Sequence, residues 1–265
     1  MEKIKQPKIG LALGSGGARG LAHIGVIKVL EENNIPIDFI AGSSIGAMIG
    51  GFYAAGIDIN IIEKIALSTN WREIFSMIDP HLGQGLIGGR KVKTFIEDYI
   101  GKKEFKDCRI PFVAVATDLK TGEIITLDKN EMAIAIRASI SIPLVFKPVE
   151  IENRMLVDGG ISAPVPVDIV RNMGADIVIA VNLDKHYYNE KFKTGWYDTA
   201  NDALNILRHH LARLNTINAD LVIDMDVSKS YWYEFVDGQD KISIGERTMK
   251  ELLPKLKEIM QQKTK

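Results

Sequence analysis

Residues 38–56 read DFIAGSSIGAMIGGFYAAG. The apolar run 38–42 predicts a buried strand, and the small apolar residues of 47–56 predict a closely packed helix that stops near Gly56. Between them, Gly42-Ser43-Ser44-Ile45-Gly46 fits the G-x-S-x-G nucleophile elbow, with Ser44 at its centre. The spacing has a steric cause: the central residue sits in a strained conformation, and glycines two positions to either side let strand and helix approach. Three positions each met by chance at roughly 7% give about one accidental match in ten chains of this length, so the motif alone is weak. Its place between a strand and a helix is the context that the motif requires. A serine at a helix start also serves as an ordinary N-cap. The frame selects Ser44 as nucleophile and leaves Ser43 as a cap or packing residue.

The same order of strand, loop and helix stands upstream. IGLAL (9–13) reads as a buried strand and LAHIGVIKVLEENN (21–34) as a helix, with Gly14-Ser15-Gly16-Gly17-Ala18-Arg19-Gly20 between them. Such a loop frees backbone N–H groups at a helix N-terminus, where they can hold a phosphate or the oxyanion of a tetrahedral intermediate. A dinucleotide site would also want an acidic residue near the carboxyl end of the second strand. Asp38 precedes that strand, which weakens a nucleotide-dependent oxidoreductase reading.

Further strands are expected at 110–119, 175–183 and 219–227, with two short ones in 148–160 around Glu152-Asn153. Helices are expected at 59–71, 92–101, 131–143 (halted by Pro143), about 200–216 and 245–262. Alternation of this kind predicts an α/β fold whose mostly parallel sheet is covered on both faces. Sites in such sheets gather at the carboxyl ends of the strands. Without a repeat or a linker, one domain over residues 1–265 is the expectation.

The 33 basic and 34 acidic side chains leave a formal net charge of −1, which offers no general attraction for nucleic acid. Cys108 is the only cysteine, so internal disulfides, thiolate metal clusters and redox pairs are unavailable. No apolar stretch approaches the roughly 18 residues of a membrane span. The basic start carries no signal-type apolar core. A soluble, cytoplasmic protein is expected.

A serine nucleophile needs a proton acceptor. In α/β-hydrolases the order is serine, acid, histidine, which His23 and His81 fail. His209 and His210 satisfy it but lie within the helical stretch LNILRHHLARLN. Asp158, in RMLVDGG, ends an apolar strand and begins a glycine turn. Asp-Gly is a common turn dipeptide, so its weight comes from combination with the elbow and the glycine loop.

Together GLALGSGGARGLAHIGVIKVLEE, GSSIGA and DGG resemble the patatin-like phospholipases, in particular small bacterial single-domain members, as does RASISIPLVFKPV (137–149). The similarity covers roughly residues 8 to 183. It implies a three-layer α/β/α sandwich and a dyad of Ser44 as nucleophile and Asp158 as base, without a required histidine. It also implies an oxyanion hole from Gly16, Gly17 and Ala18 with Arg19 nearby, and no metal or organic cofactor. The implied substrates are phospholipids, lysophospholipids or related acyl esters, met through transient contact with a membrane surface.

Ser15 departs from the family pattern by standing where many members have glycine. Arg19 is read as tying the loop to a local carboxylate, with a lipid phosphate as the alternative partner. Residues 71–89 suit core packing, a mobile cap or a lipid-contact surface, and the Lys-rich end KLKEIMQQKTK suits a frayed, solvated helix end, with contact to anionic headgroups as the alternative. The rival in another class is a lipid-binding or regulatory protein that keeps the fold without useful turnover.

Overall fold

The computed structural model describes residues 6–71, 89–185, 195–226 and 237–264. Its strands are β1 (Ile9–Leu13), β2 (Phe39–Ser43), β3 (Phe112–Asp118), β4 (Ile124–Leu127), β5 (Val149–Ile151), β6 (Arg154–Asp158), β7 (Ile177–Asn182) and β8 (Leu221–Asp224). The helices are α1 (Ala22–Glu32), α2 (Ile45–Ala54), α3 (Ile59–Ser68), α4 (Arg90–Ile100), α5 (Met132–Ser139), α6 (Val167–Asn172), α7 (Trp196–Asn215) and α8 (Gly238–Lys263). Short 3-10 turns at Gly17–Leu21 and Gly159–Ile161 complete the parts that matter here.

Among the described residues, all eight strands join one sheet. Strands β3, β2, β1, β7 and β8 pair in that order, all parallel, while β4, β5 and β6 add antiparallel pairings at the β3 end. Side chains alternate across each strand, and in the parallel part both faces are apolar because both are covered. Ile9, Leu11, Leu13, Ile40, Ile177 and Ile179 face the larger core with α1, α2 and α8. Ala12, Ala41, Val113, Val178 and Ala180 face the smaller one, filled by Val167 and Val170 of α6 and Ala212 of α7. This is the expected α/β/α sandwich. Each fully buried Leu or Ile in it contributes roughly 1.5–3 kcal/mol.

Strand β3 positions the site. One of its edges carries β4, opposite residues 114–117. Its other edge is shared, with β2 running parallel beside 112–115 and β6 running antiparallel beside 116–118. Strands β2 and β6 therefore run head-on into each other, Ser43 ending beside Val115 and Asp158 beside Ala116.

Several boundaries differ from expectation. Strand β4 and helix α6 were not foreseen, since each is short and β4 is half-exposed without a long apolar run. Helix α5 ends at Ser139, four residues before Pro143: the Ser141 amide closes a tighter turn onto Ala138, and the Ser141 carbonyl accepts from Asp158 of β6. The Lys-rich end, expected to fray, is helical as far as Lys263, whose ammonium lies 3.6 Å from Asp220. Of the 71–89 segment, only Trp71 and Gly89 are among the described residues. Trp71 is buried, packs edge-on against Phe95 and donates to the Ala66 carbonyl. Among the described residues no helix is long and apolar enough to cross a membrane.

Candidate active site

Ser44 occupies the step from β2 into α2 with φ 56° and ψ −121°, a conformation that costs a non-glycine residue about 1–3 kcal/mol. The flanking glycines make the step sterically feasible. A Cβ on Gly42 would lie 2.3 Å from the Gly46 carbonyl oxygen, and one on Gly46 would lie 2.2 Å from that of Leu13. The ordinary N-cap role is not used, since the Ser44 side chain makes no capping bond. Its Oγ instead donates to Asp158 Oδ2 at 2.6 Å. Its backbone N–H donates to Ser139 Oγ at 2.9 Å, and that hydroxyl donates in turn to the Val115 carbonyl at 2.6 Å. Ser43 is fully buried and packs beside Gly159; among the described residues its hydroxyl has no hydrogen-bond partner.

Asp158 is fixed from four sides. Its Oδ1 accepts from the Gly160 amide at 2.7 Å, and its own N–H donates to the Ser141 carbonyl at 3.0 Å. Its carbonyl accepts from Thr117 Oγ1 at 2.9 Å, and its Oδ2 holds the Ser44 hydroxyl. Burial pushes the carboxyl up to about 6, against the opposing pull of the Ser44 hydroxyl, the Gly160 amide and the Arg208 charge.

A cleft of about 140 Å³ opens over this pair, and Gly16 and Gly17 line it together with Ser44 and Asp158. Both glycines start the 3-10 turn, where the first amides have no acceptor within the turn. Helix α2 likewise begins at Ser44, so its positive end faces the same space. Ala18 and Arg19 do not line the cleft: Ala18 is fully buried, and the Arg19 guanidinium turns to the Gly16 carbonyl and to Asp184 Oδ1 at 3.0 Å.

Sequence reasoning missed Asp184 and Arg208. Asp184, just beyond β7, pairs with both Arg19 and Arg208, and Arg208 also reaches Ser15 Oγ at 3.4 Å. Ser15, the departure from the family pattern, thus meets α7 through its hydroxyl. The polar residue after an apolar strand was the signal for Asp184; Arg208 lay hidden in a helix whose partner was unknown. Arg137 and Ser139 lie in the block RASISIPLVFKPV and carry no individual signal in sequence. Arg137 is buried and donates to the Gly89 and Lys147 carbonyls and to Ser141 Oγ, so it braces the turn that holds the Asp158 amide.

The histidines lie elsewhere. His209 bonds the Asp184 carbonyl through Nδ1 at 2.8 Å, and neither it nor His210 lines the cleft. His23 is fully buried against the Gly14 carbonyl and is held neutral, with burial lowering its pKa to about 4. His81 and His186 lie outside the described residues. Asp38 sits at the amino end of the sheet, accepting from the Ile9 amide and so at the opposite end from the glycine loop. Among the described residues no three His, Cys, Asp or Glu side chains converge as a metal site would need.

A family model described as Patatin-like phospholipase matches residues 11–171, which contain the loop, the elbow and Asp158. The chain belongs to the patatin-like phospholipase family. An uncharacterized NTE family protein of Mycobacterium tuberculosis is 42% identical over 179 residues, 67% of this chain and 49% of that protein. Lysophospholipase nte1 of Neurospora crassa is 33% identical over 181 residues, 66% of this chain and 12% of that protein. The patatin-like chain thus spans about half the length of its mycobacterial relative and far less of the fungal one. Among solved structures, VipD from Legionella pneumophila superposes with a TM-score of 0.55 at 14% identity, over 94% of this chain and 67% of that one. The type III effector protein ExoU does so with 0.52 at 11% identity, over 98% and 54%. At such identities the likeness concerns the fold alone.

Proposed function

We propose that this protein is a serine-dependent lipid acyl hydrolase that cleaves carboxylic esters of phospholipids, lysophospholipids or related lipids through a dyad of Ser44 and Asp158. The observation that carries the reading is the 2.6 Å hydrogen bond from Ser44 Oγ to Asp158 Oδ2 at the base of the cleft. Family membership and the lysophospholipase name of a relative support the lipid ester as substrate.

In this mechanism Ser44 Oγ attacks the ester carbonyl carbon while its proton passes to Asp158. The carbonyl electron pair moves onto oxygen, and the amides of Gly16 and Gly17 face that oxyanion, with Ala18 and Arg19 behind them shaping the loop. Collapse expels the alcohol, which takes the proton back from Asp158. Water then attacks the acyl-serine, giving its proton to Asp158, and the fatty acid leaves as Asp158 returns that proton to Ser44 Oγ. A carboxyl titrating near 6 is about nine-tenths ionised at pH 7 and is a stronger base than a free aspartate. The strained Ser44 backbone keeps Oγ aimed before substrate arrives.

The test is covalent labelling with a fluorophosphonate in the presence of detergent micelles, followed by peptide mapping. Adduct confined to Ser44 is the expected result. An unlabelled protein, beside a serine hydrolase labelled in parallel, would replace this reading with that of a lipid-binding or regulatory member of the family.

A further inference from the structure

We propose that the exposed apolar face of α7 lies against the surface of a lipid aggregate, bilayer or micelle, and passes acyl esters from it into the cleft. Only the passage into the cleft rests on the hydrolase reading. Helix α7 has 20 residues, and among those described only Ala212 is buried. Trp196 is 78% exposed, Leu207 66% and Leu214 63%. These three stand eleven and seven residues apart, so at 100° per residue they fall within about 20° of one line, over about 27 Å of helix. Just past the helix end, Ile217 is 72% exposed. Single exposed leucines need no explanation, whereas large apolar side chains aligned on one face do.

The row runs into the cleft. Leu207 belongs to both, Leu204 lines the cleft beside it, and α7 packs beside the Gly159–Ile161 turn that follows Asp158. Half-exposed Ile161 on that turn and Leu144, next to cleft-lining Pro143, extend the apolar rim. One surface, drawn from three separate parts of the chain, therefore surrounds the opening above Ser44.

Two arguments identify lipid as the occupant. The cleft, at about 140 Å³, is smaller than the roughly 300–1,000 Å³ that enclose a whole organic ligand, so most of a long acyl ester must lie outside it, on this rim. A folded partner or a second copy seated on the same rim would close the entrance. A lipid surface covers the row and supplies substrate at its inner end. Trp196 suits such a surface, since its ring pairs an apolar body with a polar N–H. The helix has the one-sided apolar face of an interfacial element.

The decisive experiment compares wild type with the double substitution Leu214→Gln/Ile217→Gln, neither residue lining the cleft. Flotation with phosphatidylcholine vesicles measures binding. Hydrolysis of vesicle-borne lysophosphatidylcholine is compared with hydrolysis of water-soluble p-nitrophenyl butyrate, and thermal unfolding checks the fold. Vesicle binding and vesicle-borne turnover should both fall at least tenfold, with the soluble ester cleaved within about twofold of wild type. Should the double variant unfold early, Trp196→Gln at the other end of the row serves instead. Equal vesicle binding by both proteins, no binding by wild type, or a wild-type dimer that the substitutions dissociate would each overturn the proposal. Vesicle binding that depends on these residues, without turnover of any ester, would uphold the docking face and remove the hydrolase reading.

Discussion

Ser43 and Asp158 end two strands that meet head-on along one edge of β3, beside the adjacent residues Val115 and Ala116. This junction is what brings a serine at position 44 within hydrogen-bond reach of a carboxylate 114 residues away. Gly159 sits in the junction, where a Cβ would lie 2.2 Å from the Val115 carbonyl oxygen and 2.7 Å from Ser43 Oγ. Gly159→Ala should therefore separate the two strand ends. A stability loss of about 1–3 kcal/mol is expected. Ester turnover should fall further than stability does, by about 100-fold, since a displacement near 1 Å at reacting groups has that scale. Turnover near wild type in the alanine variant would mean that the junction tolerates movement.

Ser44→Ala and Asp158→Asn should each lower turnover by on the order of 10⁴-fold or more, with cooperative unfolding retained. His209→Gln/His210→Gln should stay within about twofold of wild type, because both rings lie outside the cleft and His209 is engaged with a backbone carbonyl. A severe loss in that double variant, with the fold intact, would point to a Ser-His-Asp triad.

The raised pKa of Asp158 links activity and stability in opposite directions. A base near 6 predicts that kcat/KM on a soluble ester falls below about pH 6 with a slope of one proton. The folded carboxyl holds its proton more tightly than the unfolded one, at about 3.9, so the native state binds more protons between the two values. Stability is thus lost as pH rises from about 4 through 6, by roughly 3 kcal/mol for a two-unit shift. Asp158→Asn cannot ionise. It should unfold at a higher temperature than wild type at pH 8 and show no such advantage at pH 4; a lower Tm at pH 8 would contradict the cost assigned to the buried charge.

Much of the site was legible because local sterics wrote it into sequence. Gly42 and Gly46 must lack side chains for Ser44 to turn as it does, so the motif reports a backbone constraint. Strands β1, β3 and β7, covered on both faces, were visible as continuous apolar runs. The acid at position 184 was not legible as a support of the glycine loop, since it acts through contacts between distant elements, and the histidine at position 23 reaches the Gly14 carbonyl only because the loop folds back over the helix start. Helix α7 shows the same limit. Its periodicity marked it as helical, but the exposure of its apolar residues depends on what the rest of the chain leaves uncovered.

The link between α7 and the loop gives the last prediction. Asp184 is nearly buried; its Oδ1 accepts from Arg19 at 3.0 Å and from Arg208 at 3.1 Å, and its Oδ2 faces Arg208 at 3.0 Å. Neutralising it in Asp184→Asn would leave two shielded guanidinium groups facing each other without a counter-charge. Breaking a buried pair from one side typically costs about 3–5 kcal/mol, so a large drop in Tm is expected. Removing one of the two cations as well, in Asp184→Asn/Arg208→Gln, relieves the repulsion and should recover part of that loss. The two single substitutions would then cost more than the double variant shows, a non-additivity measurable by denaturant unfolding. Additive losses would mean that the Asp184 and Arg208 side chains are not energetically coupled.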